Sequence, residues 1–103
     1  RDQPLVAAKL AEAANFLLIH FNGTKVEDIP GRIAALTQYG KPIVCNEDDK
    51  QGETAARTAE LCVTNRASWG LMLNRRNQYF PLEFHGAADD RVVYDQLKDL
   101  TSR

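Results

Sequence analysis

Nine residues, Lys41-Pro42-Ile43-Val44-Cys45-Asn46-Glu47-Asp48-Asp49, limit this chain to a narrow set of folds. A short apolar run ends in three consecutive carboxylates, with Tyr39-Gly40 before it and Gly52 after it. An ionised carboxylate loses its hydration inside a buried strand, so three adjacent acids mark where the strand leaves the core. In parallel α/β folds the carboxyl ends of strands are where ligands and catalytic groups gather. The segment predicts a strand over about Pro42 to Asn46 and a candidate site at its exit.

The remaining sequence alternates the periodicities that such a strand needs around it. Leu5, Val6, Leu10, Ala13 and Ala14 recur at helical spacing, with Asp2 placed to cap and Pro4 suited to a first turn. Phe16 to Phe21 is continuous and apolar, as expected of a strand covered on both faces, and it stops at Asn22-Gly23. Helical spacing returns from about residue 26 to 38 through Ile29, Ile33 and Leu36, and Gly40 suits a helix stop. Residues 53–65 form a further helix with Ala55, Ala56, Ala59, Cys62 and Val63 along one face. Ala67 to Leu73 reads as a third strand carrying Trp69, and Tyr79 to Gly86 as a long Pro- and aromatic-containing connection. A last helix runs from Ala88 to Leu100, with Asp89 and Asp90 at its positive end. The predicted fold is α/β, in the order α-β-α-β-α-β-α, with three parallel strands joined by right-handed crossovers. So small a sheet has two open edges, which predicts either a larger parent fold or a homo-oligomer paired through them.

Composition narrows the function. With 103 residues the chain makes a single α/β unit, and 44% apolar and 26% charged residues are those of a globular protein. Thirteen Lys and Arg against fourteen Asp and Glu leave no basic excess of the kind a nucleic-acid partner needs. No apolar run approaches the roughly 20 residues of a membrane span. The chain does not begin with Met and is read as a truncated chain, a processed product or a fragment. Cys45 and Cys62 lack any Cys-x-x-Cys or Cys/His spacing, which argues against zinc and for two buried thiols. A disulfide between them stays open for an exported protein. No cofactor motif is present.

Glu47 stands at the strand exit, with alternation placing it on the face of Ile43 and Cys45 and placing Asn46 on the face of Val44. His20 lies near the end of its own strand, and Trp69 lies on the third. The three strands bring a carboxylate, an imidazole and an indole to one end of the sheet, a combination suited to a carbohydrate. Asp48 and Asp49 are expected to cap or charge the helix that begins near Gly52. They also leave open a Mg²⁺ or Ca²⁺ site. The turn containing Asn74, Arg75, Arg76 and Asn77 reads as a solvated basic face, and His85 and Glu83 as loop residues.

Lys41-Pro42-Ile43-Val44-Cys45-Asn46-Glu47 resembles strand seven of the retaining glycoside hydrolases built on an eight-stranded β/α barrel, the cellulase-like superfamily. Ala67-Ser68-Trp69-Gly70 resembles their strand eight, and Leu18-Ile19-His20-Phe21-Asn22 their strand six. The resemblance covers nearly the whole chain and implies part of a TIM barrel, with Glu47 as nucleophile and Trp69 as the platform under the sugar. It implies His20 as a contact to substrate or nucleophile, with Asn46 beside them. Family members follow the nucleophile with an apolar or aromatic residue, whereas Asp48 and Asp49 follow Glu47. Their acid/base Glu belongs to strand four, which has no counterpart in these 103 residues.

A complete barrel takes about 250 residues, and retaining hydrolysis uses two carboxyl groups about 5–5.5 Å apart. The expected function is therefore that of the carboxy-terminal part of a glycosidase barrel, inactive alone. The alternative is a freestanding α/β binding or oligomerisation domain whose acidic cluster holds a cation or a basic partner. A phosphoryl-transfer domain is a third reading, but its further strand-end Asp and Lys are not evident.

Overall fold

The computed structural model describes residues 7–73, 76 and 78–103. The expectations for Asp2, Pro4, Leu5, Val6, Asn74, Arg75 and Asn77 lie outside the described residues. The elements are α1 (Ala8–Ala13), β1 (Leu17–His20), α2 (Ile29–Thr37), β2 (Ile43–Glu47), α3 (Gly52–Thr64), β3 (Ala67–Trp69) and α4 (Arg91–Thr101). Short 3-10 turns, Val26–Asp28 and Ala87–Asp90, lead into α2 and α4. The strands form one parallel sheet in the order β1-β2-β3. The α/β alternation is thus the observed architecture.

Four of the helix ends have an identifiable cause. Gly40 takes φ +64, the left-handed conformation that lets the chain turn out of α2 without a Cβ clash. Lys41 reaches back to α1, donating from Nζ to the carbonyls of Glu12 (3.0 Å) and Ala14 (2.6 Å), and so satisfies the open end of that helix. Asp90 caps two helices at once. Its Oδ1 accepts from Val93 N in α4 (3.2 Å), and its Oδ2 accepts from Gly52 N at the start of α3 (2.8 Å). The expectation that Asp48 and Asp49 cap α3 is therefore corrected: the cap comes from 38 residues further along the chain. A carboxylate there meets both the free N–H groups and the positive helix end.

The helices cover one face of the sheet. Leu17, Ile19, Ile43, Cys45 and Ala67 point into a core with Ala11, Phe21, Ile29, Ile33, Leu36 and Cys62. The alternate positions do not. Leu18 is 51% exposed, His20, Asn46 and Ser68 are exposed, and Val44 is half-buried. The expectation that β1 is covered on both faces is overturned, because its continuous apolar run alternates buried and exposed. The third strand also ends earlier than its apolar run, at Trp69 rather than Leu73. At Gly70 the chain passes so close to β2 that an added Cβ would stand 3.3 Å from the Cys45 carbonyl oxygen.

Both cysteines are free and buried. Burial pushes both thiols up, and Cys62, with the neighbouring Cys45 adding to the effect, reaches about 12 from an ordinary 9.0. Between those values the unfolded chain releases the Cys62 proton while the folded chain keeps it, so stability falls as pH rises through that window. At pH 8 the native thiols should react with a disulfide reagent on the order of 100-fold more slowly than in urea, opening of the core being required first. Equal rates in the two conditions would contradict this burial.

Candidate functional site

The site forms where β1 and β2 leave the sheet. Pairing runs Leu17 to Ile43, Leu18 to Val44 and Ile19 to Cys45, but His20 pairs with Glu47, skipping Asn46. This bulge adds one residue to β2 and inverts the expected facing beyond it. Glu47 joins His20 on the open side instead of sharing the buried side of Ile43 and Cys45. Asp48 takes the buried side.

Two separate groups of side chains result. On the open side, Asn22 Nδ2 donates to Glu47 Oε2 at 2.5 Å, and His20 Nδ1 lies 3.7 Å from the same oxygen. Both contacts reach Oε2, and among the described residues no hydrogen bond is made to Oε1. The Glu47 side chain keeps 24% of its surface exposed and His20 keeps 51%, so the pair is open to a ligand. Asn46, the bulged residue, stands exposed beside them. A carboxylate positioned through one oxygen can accept a hydroxyl hydrogen bond, attack an electrophilic carbon or bind a cation through the other.

On the buried side, Asp48 is fully enclosed. Its Oδ2 accepts from the Trp69 indole Nε1 (2.8 Å), and its Oδ1 meets Lys50 Nζ (3.1 Å) and Lys50 N (3.3 Å). Lys50 Nζ also donates to the Phe21 carbonyl (2.7 Å). One ion pair thus ties together the ends of all three strands. A buried carboxylate needs this complement of charge and donors, and Asp48 receives it.

The structure therefore brings His20 and Glu47 together, leaves Asn46 exposed at the bulge, and separates Trp69 from them. Trp69 pairs with Cys45 in the sheet, packs partly buried against the core and points its polar edge at Asp48. Asn22 and Lys50 had no assigned role in the sequence. The signal for Lys50 was its place two residues after Asp48, within reach of the same carboxylate. Among the described residues no cluster of three or more His, Cys, Asp or Glu side chains is arranged to hold a metal ion, and no helix is long and apolar enough to cross a membrane. No protein-family model, curated protein or solved structure matches this chain.

Proposed function

We propose that this chain is the carboxy-terminal part of a β/α barrel of the retaining glycoside hydrolase kind, with Glu47 as its nucleophilic carboxylate. The observation that carries the reading is a parallel sheet in sequential strand order, helix-covered on one face and bare on the other, ending in a positioned carboxylate. Doubly wound sheets reverse strand order and place helices on both faces. Barrels keep sequential order, place every helix outside and turn the second face inward. Leu18 and Val44 are then interior side chains of the closed barrel, and both sheet edges are paired by the remaining strands.

In this reading Asn22 and His20 fix Glu47 through Oε2, leaving Oε1 for the sugar carbon. Asn46 and the exposed edge of His20 are within reach of sugar hydroxyls. Trp69, held against the core by Asp48, takes no part in the sugar contact in this reading. The acid/base carboxyl comes from the remaining strands, so the 103 residues bind sugar weakly and do not cleave it.

A second reading is favoured by the same bare face: a freestanding module that buries Leu18 against a second copy. Its cation-binding form is disfavoured, because Asp48 is already neutralised by Lys50. Titrating the isotope-labelled chain with cellobiose, xylobiose or mannobiose separates the two. The barrel reading predicts amide shifts at His20, Asn22, Asn46 and Glu47 at millimolar sugar, with a monomer in sedimentation. A dimer that no sugar perturbs supports the module.

A further inference from the structure

The open group around Glu47 and the enclosed Asp48–Lys50 pair are joined through the backbone of one residue. Phe21 follows β1 and is anchored on every side. Its ring is fully buried, and its N–H donates to the Glu47 carbonyl (3.1 Å). Its own carbonyl accepts from Thr24 N (3.0 Å) and from Lys50 Nζ (2.7 Å), which uses both lone pairs. The Thr24 bond closes a tight turn from Phe21 to Thr24, with Gly23 at φ +71. Asn22 is the corner of that turn, and its side chain is the one that donates to Glu47 Oε2 (2.5 Å).

Lys50 is costly to place there. Its side chain is only 10% exposed and Asp48 is fully enclosed. An ion pair so enclosed is often no more stabilising than apolar side chains of the same volume, so stability alone does not account for it. What no apolar side chain supplies is a cationic donor to the Phe21 carbonyl. The Asp48 carboxylate (3.1 Å) aims the ammonium, and the ammonium ties the turn carrying Asn22 to the segment just after β2. The Asn22–Glu47 contact itself lies in the open, where a hydrogen bond competes with water and holds only when its two ends are already in place.

We infer that Lys50 is a positioning residue: through the Phe21 carbonyl it holds Asn22, and through Asn22 it fixes the direction of the Glu47 carboxylate. The hold on Asn22 stands on these distances, while its consequence for turnover rests on Glu47 being the nucleophile. A carboxylate free to swing attacks less often from the productive angle, so the loss falls on kcat rather than on sugar affinity.

NMR of the 103-residue chain reads the hold through the Asn22 side-chain amide, with Glu47→Ala giving its position when no carboxylate is there. Lys50→Met alone leaves Asp48 enclosed without a counter-charge, so the decisive variant is Asp48→Leu with Lys50→Met. In that double variant the Asn22 signal should move most of the way to the Glu47→Ala position, while the amides of Ile33 and Leu36 stay in place. Lys50→Arg, which keeps a cation beside Asp48, should move it less. In every variant that folds, displacements of the Phe21 and Asn22 signals should rise together. Asn22 unmoved in the folded double variant, or moving without relation to Phe21 across the folded variants, would overturn the inference. In a chain extended by the proposed remaining strands, the double variant should lower kcat about 10- to 100-fold, with KM within about twofold. An unchanged kcat per folded molecule would reduce Lys50 to a structural role. No turnover in the unsubstituted extended chain would overturn the hydrolase reading while leaving the Asn22 result standing.

Discussion

Asp48→Ala is expected to cost the fold about 3–5 kcal/mol, enough to unfold a large fraction of a domain this size. The change does more than delete an ion pair. It leaves the Lys50 ammonium, whose side chain is only 10% exposed, beside the Phe21 carbonyl without a counter-charge, and it strips the Trp69 indole of its acceptor. The losses fall on three strand ends at once, so they should appear together. Urea denaturation should show a lower midpoint, with Trp69 fluorescence shifting red in step. Asp48→Asn keeps an acceptor for the indole and removes the charge, so it should fall between Ala and the native residue. An apolar pair, Asp48→Leu with Lys50→Met, should recover much of the loss, because two enclosed charges are replaced together. A neutral effect of Asp48→Ala would mean that the clasp contributes no stability.

Glu47→Gln should act oppositely, on turnover and not on the fold. On the proposed barrel reading, and measured in a chain extended by the remaining strands, glutamine preserves size and an acceptor for Asn22 but removes the negative charge that the proposed attack needs. Loss of a nucleophile lowers kcat by about 10⁴–10⁶-fold. The melting temperature should stay within a degree or two, since Glu47 is partly exposed and replaces no core group. Asp49→Asn, at an exposed position two residues along, should change neither property. Turnover retained in Glu47→Gln would remove this residue from the chemistry.

The architecture was readable because helix and strand periodicities differ and because turn residues separate them. The helical spacing of Ile29, Ile33 and Leu36 and the stop at Gly40 reappear in the structure without change. What could not be read was which face of a strand lacks cover. Leu18 is as apolar as Leu17, and only the placement of the helices distinguishes them. For the candidate site, only the placing of Glu47 beside His20 was legible, and that to within one residue. Strict alternation puts Glu47 inside, and a one-residue bulge at Asn46 sends it out and turns Asp48 in. That bulge also accounts for the acids that depart from the hydrolase pattern: Asp48 serves the three-strand clasp, and Asp49 is solvated. Trp69 and Asp48 are 21 residues apart, and nothing in local spacing announces their bond. Asp90 reaching Gly52 is another long-range pairing of the same kind.

The central claim is that Glu47 bonds covalently to a sugar. This proposal is tested most directly by incubating a chain extended by the proposed remaining strands with 2,4-dinitrophenyl 2-deoxy-2-fluoro-β-glycosides of glucose, xylose and mannose. The fluorine slows both steps by destabilising the oxocarbenium-like transition state, and the good leaving group lets only the first proceed, so a glycosyl-enzyme accumulates. Mass spectrometry should then find one fluorosugar on the peptide containing Glu47, and none in Glu47→Gln. An adduct on a different carboxylate, or hydrolysis that proceeds with no adduct at all, would contradict the account.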